Sequence, residues 1–131
     1  MAYPSQPSVV VVSAVEQNHA ALDSLFQRHG WKVRHTHSIA DLDADPEASA
    51  CVFLTDYKLP DGCWTRVLEH VRKRAPGTEV VVCSSLVDEH LWAEVMCLGG
   101  FDVIGPPFDE AELLRVTECA WRESCYGRAR R

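Results

Sequence analysis

Three short runs of the chain are rich in β-branched and other apolar residues, at positions 9–12, 51–54 and 80–83. Every position in these runs is apolar, which is typical of strands that are buried on both faces of a parallel sheet. A fourth run, at positions 31–37, alternates between apolar and polar residues and indicates a strand at the edge of the sheet. A short fifth run at positions 102–104 precedes two prolines. The pattern therefore predicts a sheet of five strands.

Between the strands, apolar residues recur at the three- and four-residue spacing of a helix. Gly30, Gly77 and Gly99 are placed to end three of these helices, and Asp88 and Asp109 are placed to begin the last two. The apolar positions expected to face the core are Leu22, Leu25 and Phe26 in a first helix over residues 18–29, then Val67, Leu68 and Val71, then Leu91, Val95 and Leu98 in a helix that also carries Trp92, and finally Leu113, Leu114, Val116, Cys119 and Ala120.

Residues 38–49 predict one short acidic helix with a loop around Pro46. The order of elements is then strand and helix, repeated five times, which implies an α/β fold with a parallel sheet, helices on both faces and right-handed crossovers. With 131 residues, the chain is long enough for one core and too short for two ordinary domains. We expect one domain over residues 1–125, followed at residues 126–131 by a basic tail or the beginning of a linker.

The overall charge and the length of the apolar runs narrow the class of protein. The formal net charge of −6 argues against direct nucleic-acid binding by this domain. No apolar run approaches the ~20 residues needed to cross a membrane. The N-terminus also lacks a basic region that leads into an apolar stretch. We therefore expect a cytoplasmic protein without a membrane partner.

Six cysteines are spread along the chain without a CxxC pair, and we expect them to be reduced thiols. Cys51 and Cys83 lie in strand-like runs, and we expect these two and Cys97 to pack in or near the core. Cys63 follows the third strand, where it would be exposed. No neighbouring base indicates a redox role for it.

The residues that follow each strand are the candidates for chemistry, because ligands of an open parallel sheet bind at the carboxyl ends of its strands. Residues 13–16 follow the first strand without a glycine, which excludes a P-loop and a GxGxxG dinucleotide turn. Asp56 follows the third strand, Ser84 the fourth, and the pair Pro106-Pro107 the fifth. We expect these three segments to converge on one edge of the sheet.

In their order and spacing these residues resemble the receiver domains of two-component response regulators, the CheY-like family. The segment DYKLP at residues 56–60 resembles the phosphoacceptor aspartate and its following loop, and Ser84 resembles the hydroxyl residue that binds the phosphoryl group. Gly99 and the pair Pro107-Phe108 fit the pattern further along. The resemblance implies a flavodoxin-like, doubly wound sheet with strand order 2-1-3-4-5. It also implies phosphorelay signal transduction, with Asp56 as the phosphoacceptor equivalent.

The chain departs from this family where the phosphoryl chemistry needs charge. Ser13 and Ala14 stand where receivers carry two acidic residues that bind Mg²⁺, Pro106 replaces the family's lysine, and Val103 replaces its aromatic switch residue. The remaining Mg²⁺ ligands implied by the resemblance are Asp56 and the backbone carbonyl of Lys58. We therefore expect weak or absent Mg²⁺ binding, and slow phosphoryl acceptance at most rather than enzymatic activity.

The resemblance also implies the protein partners. These are a histidine kinase or phosphotransfer protein, and an output domain or partner protein that docks on the face formed by the fourth helix, fifth strand and fifth helix. A homodimer is a further alternative. Trp92 falls on this face, where it is either an interface anchor or a core residue.

Several residues leave two interpretations open. Glu16 either restores metal binding or is an exposed residue, and we favour the second. His35 and His37 share one face of the edge strand, where they either chelate a transition metal or form an exposed pair, and we again favour the second. Trp64 stands where the family has glycine, and we hypothesise that its ring covers the phosphorylation pocket. The alternative function is a small flavodoxin-like cofactor-binding domain or enzyme that uses the same sheet edge.

Overall fold

The computed structural model of the chain describes residues 6–45 and 48–129, so the loop expected around Pro46 lies outside the described residues. The five main strands are β1 (Ser8–Val12), β2 (Lys32–Thr36), β3 (Val52–Asp56), β4 (Glu79–Cys83) and β5 (Asp102–Ile104). The helices are α1 (Glu16–Arg28), α2 (Ile39–Ala44), α3 (Trp64–Arg74), α4 (Glu89–Leu98) and α5 (Glu110–Ala129). Two further strands of two residues each, Lys58–Leu59 and Gly62–Cys63, pair antiparallel to form what we call the hairpin.

All five main strands are parallel and lie in the order β2-β1-β3-β4-β5, as the resemblance implies. The strand order reverses at β1, which pairs with β2 on one side and with β3 on the other. The carboxyl ends of β1 and β3 are therefore neighbours at the point where an open sheet of this type binds its ligands. Asp56 ends β3 and is in register with Cys83 of β4.

Helices cover both faces of the sheet, because alternate residues of each buried strand point to opposite sides. One core lies between the sheet and helices α2, α3 and α4, and its strand residues are Val10, Val12, Phe53, Val80, Val82 and Val103. The other core lies between the sheet and helices α1 and α5, and its strand residues are Val9, Val11, Val52, Leu54, Val81, Cys83 and Ile104.

The predicted helix ends are largely confirmed. Gly30, Gly77 and Gly99 each have a positive φ, the backbone conformation for which glycine is favoured. The carboxylate of Asp88 accepts a hydrogen bond from the Leu91 amide at the start of α4. At the start of α5, the carboxylate of Asp109 accepts one from the Glu112 amide. In contrast, α1 begins at Glu16, two residues before the predicted start.

The predicted inner faces of the last two helices are partly wrong. In α4 only Val95 is buried, while Trp92 and Leu98 are 50% and 46% exposed. The physical reason is that α4 covers the edge of the sheet, where β5 has only three residues to pack against. The same correction applies to two cysteines expected in or near the core, because Cys97 and Cys119 are exposed.

Cys51 and Cys83 are buried as expected, and Cys63 is half-buried. Helix α5 continues to Ala129, so residues 126–129 extend the helix beyond the expected end of the domain. Within the described residues, no helix combines the length and the apolar character that a membrane span requires.

Candidate functional site

An open cleft of about 550 Å³ lies at the carboxyl ends of β1, β3 and β4. Asp56, Ser84 and Pro106 all line it, which confirms that the three segments predicted from the sequence converge. Lys58 lines the same cleft from the hairpin. The phosphoacceptor and metal-ligand roles of these residues stay predictions. The full lining is Val15, Gln17, Asn18, Asp56, Tyr57, Lys58, Cys83, Ser84, Ser85 and Pro106.

The Asp56 carboxylate is held by the two residues that replace the acidic pair. The Ser13 hydroxyl donates to Asp56 Oδ2 at 2.7 Å, and the Ala14 amide donates to the same oxygen at 3.2 Å. Burial raises the pKa of Asp56, although the hydrogen bonds from Ser13 and Ala14 oppose the shift. Two neutral donors therefore support one half-buried carboxylate at this place.

Ser13 is itself fixed from three sides. Its amide donates to the Thr36 carbonyl at 3.0 Å, which ties the end of β1 to β2. Its hydroxyl accepts from the Val15 amide at 3.0 Å, and its carbonyl accepts from His19 Nε2 at 2.7 Å. Ser13 is buried, so its hydroxyl is held in place against Asp56. Sequence reasoning treated Ser13 only as a lost acid and missed this supporting role.

Ser84 is placed by the end of β4, where its amide donates to the Ile104 carbonyl at 3.0 Å. Its hydroxyl accepts from the Leu86 amide at 3.2 Å, so it closes a short turn after the strand. The side chain is half-buried and lines the cleft beside Asp56. The hydroxyl is thus within the same cavity as the carboxylate while it bonds to its own turn.

Tyr57 connects the cleft to α4, a contact that sequence reasoning missed. Its amide donates to the Cys83 carbonyl at 2.9 Å, and its hydroxyl donates to Glu94 Oε2 at 2.8 Å. The bond to Glu94 raises the pKa of the Tyr57 hydroxyl, because the carboxylate accepts from the protonated form. The residue after Asp56 therefore contacts α4 directly.

The hypothesis that Trp64 covers the cleft is wrong. Trp64 is 1% exposed, belongs to the core under α2, α3 and α4, and does not line the cleft. A Cβ added to Gly100 would lie 3.3 Å from the Trp64 ring, so the ring fills space beside the end of α4. The physical reason is position: Trp64 is the first residue of α3, and its ring faces the core rather than the strand ends.

Glu16 lies away from Asp56. Its carboxylate Oε1 lies 2.7 Å from His37 Nε2, and its side chain is 79% exposed. Glu16 is also absent from the lining of the cleft. The favoured interpretation of an exposed residue is confirmed.

The expectation of an exposed histidine pair on β2 is correct for His37 and wrong for His35. His35 is half-buried because His19 of α1 packs against it, with 2.6 Å between their Nδ1 atoms. Its Nε2 lies 2.9 Å from Asp23 Oδ1. Across residues 6–45 and 48–129, no three potential ligands of the His, Cys, Asp or Glu type are arranged to hold a metal ion. The spacing of His35 and His37 could not reveal His19, which is distant in sequence.

Trp92 belongs to a group of exposed apolar side chains on and before α4. Its exposed fraction shows that core packing, one of the two interpretations left open, is wrong. We call this group the α4 surface, and it consists of Leu86, Val87, Trp92, Met96 and Leu98.

The sequence is similar to one curated regulator, while no protein-family model matches it. It is 28% identical over 118 residues to the transcriptional regulatory protein FixJ of Azorhizobium caulinodans, an alignment that covers 87% of this chain and 56% of the relative. The chain therefore spans about half the length of the curated relative it matches.

Solved receiver domains have the same fold. The signal receiver domain of an HD domain-containing protein from Pseudomonas fluorescens Pf-5 has a TM-score of 0.86 at 17% identity, covering 100% of this chain and 98% of that one. A CheY-like receiver domain protein from Methanospirillum hungatei JF-1 has a TM-score of 0.79 at 20% identity, covering 92% and 97%.

The beryllofluoride-activated NtrC4 receiver domain dimer also has a TM-score of 0.79, at 18% identity and with 89% and 98% covered. The three TM-scores show that this chain has the same fold as these receiver domains. The chain therefore has the fold of CheY-like receiver domains, and its sequence is similar to that of the transcriptional regulatory protein FixJ.

Proposed function

We propose that this chain is a degenerate receiver of a phosphorelay, in which Asp56 accepts a phosphoryl group slowly or not at all and signalling depends mainly on protein contacts. The observation that carries the proposal is the pair of hydrogen bonds from Ser13 and Ala14 to Asp56 Oδ2. A serine hydroxyl and a backbone amide occupy the place that the resemblance assigns to two carboxylates.

The donor set of the cleft fits Mg²⁺ poorly. This ion requires near-octahedral oxygen ligands and usually binds through carboxylates. Ser13 contributes a neutral hydroxyl whose proton already bonds to Asp56, and Ala14 has no side-chain oxygen. Asp56 is the only carboxylate in the lining of the cleft, with the Lys58 carbonyl as the further ligand that the resemblance implies. We infer that Mg²⁺ binds weakly or not at all.

The cleft also lacks the lysine that the family uses to neutralise an incoming phosphoryl group, since Pro106 stands in its place. The cationic side chain that does line the cleft is Lys58, an exposed residue of the hairpin. Phosphoryl transfer depends mostly on positioning and on charge neutralisation. The half-buried Asp56 and the Ser84 hydroxyl keep the positions of acceptor and hydroxyl, and neither supplies positive charge. These properties support slow acceptance at most.

Protein contact is supported by the α4 surface, which remains uncovered in the folded chain. Trp92, Leu86 and Val87 are each at least half exposed there, and tryptophan is enriched among residues that anchor interfaces. We infer that an output domain or partner protein docks on α4, β5 and α5, and that a histidine kinase or phosphotransfer protein delivers the input. A homodimer through the same face is the alternative occupant.

Beryllofluoride with Mg²⁺ tests the proposal, because this complex imitates a phosphoryl group on the acceptor aspartate. We expect the amide resonances of Asp56 and Ser84 to remain nearly unchanged in the native chain at millimolar Mg²⁺. Saturable shifts at both residues would show an active acceptor site and would overturn the proposal.

A gain-of-function variant makes the test sharper. Ser13→Asp combined with Ala14→Asp should restore the missing carboxylates and tighten Mg²⁺ binding by at least about tenfold, because affinity follows the number of charged ligands. The matched control is Ala20→Asp, which adds a carboxylate at an exposed position of α1 outside the cleft and should leave Mg²⁺ binding unchanged.

A further inference from the structure

A chain of four hydrogen bonds, joined at Ser13 by the covalent bonds of that residue, runs from the Asp56 cleft to the edge of the sheet. From the cleft outward it passes through the Ser13 hydroxyl, the Ser13 carbonyl, the His19 ring and the His35 ring, and ends at Asp23. Its distances are 2.7 Å from Ser13 Oγ to Asp56 Oδ2, 2.7 Å from His19 Nε2 to Ser13 O, 2.6 Å between the two Nδ1 atoms, and 2.9 Å from His35 Nε2 to Asp23 Oδ1.

The partners of this chain determine where the protons lie. A backbone carbonyl only accepts, so His19 Nε2 carries a proton. The ionised Asp23 carboxylate also only accepts, so His35 Nε2 carries a proton. The bond between the two Nδ1 atoms needs one further proton, which belongs to His35 if His19 is the neutral ring. The intact pair therefore holds three protons and one positive charge.

We propose that His19 is a positioning residue for Asp56: the three-proton pair of His19 and His35 holds Ser13 against the carboxylate, and a fourth proton breaks the pair and releases Ser13. The relevance to signalling rests on the proposed receiver function, whereas the proton sharing and its effect on Ser13 are independent of it.

The fourth proton has a clear structural effect. With both Nδ1 atoms protonated, two donors and two positive rings would face each other at the 2.6 Å now occupied by a hydrogen bond. His19 is 5% exposed, so it has little room to reorient within α1. The rings must separate, and the His19 bond to the Ser13 carbonyl moves with them. The hydroxyl of the same serine is the donor to Asp56.

The charged groups around His19 come from three elements. Helix α1 contributes Glu16 and Asp23, β2 contributes His35 and His37, and β3 contributes Asp56. Burial and then the two histidines of β2 lower the pKa of His19, while the Ser13 carbonyl and Glu16 act in the opposite direction. The effects that lower the pKa of His19 outweigh those that raise it, so the fourth proton binds only in acid.

The test is a pH titration of the full chain followed by NMR, which records the histidine ring nitrogens together with the amides of Ser13, Ala14 and Asp56. We expect the ring of His19 and these three amides to change with one common midpoint. In His19→Gln the amide change at that midpoint should disappear. In His35→Gln the titration of the His19 ring should move to higher pH, because the neighbouring positive charge that opposes protonation of His19 is removed. The amide change should disappear in this variant, because no second ring remains to be repelled.

The matched control is His29→Gln, which removes an exposed histidine after the other end of α1 and should leave the titration unaltered. If the His19→Gln chain does not fold, His35→Gln still decides the question through the loss of the amide change. The proposal is overturned if the amides of Ser13 and Asp56 do not follow His19 in the native chain, or if they still follow it in His35→Gln.

The outcome is separable from that of the proposed function. Strong Mg²⁺ and beryllofluoride binding by the native chain would overturn the degenerate receiver, yet the titration would still show whether His19 positions Ser13. Conversely, if the amides do not change at the midpoint of His19, the positioning role is overturned, while the beryllofluoride result is unaffected. If the role of His19 were purely structural, His19→Gln would lower the stability of the fold but would not change how the cleft amides respond to pH.

Discussion

Ser13 determines the character of the Asp56 site at the scale of single residues. Its hydroxyl and the Ala14 amide both donate to Oδ2, so one carboxylate oxygen is satisfied by the protein itself. Burial nevertheless raises the pKa of Asp56, which means that the ionised carboxylate is not fully compensated. The site therefore contains one carboxylate that the protein itself supports, and Lys58 is the cationic side chain of the same cleft.

Removing the Ser13 hydroxyl should weaken this site. Ser13→Ala leaves Asp56 with one donor fewer, and we expect the free energy of unfolding at neutral pH to fall by about 1.5 to 3 kcal/mol, the range for hydrogen bonds to charged groups. Urea denaturation measures the change. Ser85→Ala, at an exposed serine of the same cleft, should change it by less than about 0.5 kcal/mol. Equal effects of the two variants would contradict the supporting role of Ser13.

Asp56→Asn should stabilise the chain at neutral pH. The pKa of Asp56 is raised above 3.8 in the folded state, so its contribution to stability is present in acid and is lost as the pH rises through the folded pKa. The neutral amide avoids that loss. Urea denaturation over a pH series should show a gain at pH 7 that shrinks as the pH falls toward 3.8. The exposed Asp41→Asn should show no such trend, and a loss of stability at pH 7 in Asp56→Asn would contradict the prediction.

At the scale of elements, α3 and α4 use their tryptophans differently. Trp64 begins α3 and is buried in the core that α4 also covers, whereas Trp92 lies on the outer face of α4. The short strand β5 leaves α4 one buried position, Val95, and so the apolar residues of its outer face remain on the surface. Helical spacing alone does not distinguish an inner from an outer apolar face when both are present.

Truncation of Trp64 should lower stability much more than truncation of Trp92. Trp64→Ala should lower the free energy of unfolding by about 3 to 5 kcal/mol, because it leaves a large cavity. Trp92→Ala should change stability by less than about 0.5 kcal/mol and should weaken binding to a partner or to a second copy. Urea denaturation measures the first effect, and analytical ultracentrifugation with the native chain as control measures self-association. A large loss of stability in Trp92→Ala would show that Trp92 packs in the core.

At the scale of the whole molecule, the reversal of strand order at β1 brings together segments that are far apart in sequence. Ser13 and Asp56 are 43 residues apart, and His19 and His35 are 16 apart. The same sheet pairs β2 with β1, whose carboxyl end lies at the cleft. Under the proposed positioning role, a charge at the edge of the sheet would act on Asp56 through the hydrogen bonds of His35, His19 and Ser13.

Global stability should decrease in mild acid because of His19. Its pKa lies below the usual 6.5 in the folded chain, so the unfolded chain binds this proton more strongly. Its contribution is present above pH 6.5 and is lost as the pH falls below that value. Thermal denaturation from pH 8 to pH 5 should show the decrease, and His19→Gln should flatten it relative to His29→Gln. A slope that is equal in both variants would contradict this assignment.

The order of strands and helices followed from the sequence because buried positions of each element are apolar and recur with the period of that element. The apolar runs of β1, β3 and β4 and the glycines after α1, α3 and α4 were sufficient to predict the sheet and the ends of its helices. Asp56, Ser84 and Pro106 could be assigned to one rim for the same reason, since each follows a predicted strand.

Only the tertiary structure decided which side chains meet at that rim and behind it. The spacing of apolar residues predicts that a position is buried, but it does not predict which residue of another element contacts it. The bond from Ser13 to Asp56, the pair of His19 and His35, and the burial of Trp64 all depend on contacts between separate elements. The physical reason is that a hydrogen bond or a filled cavity depends on distances of a few ångströms, which are set only when the sheet and both helical layers are assembled.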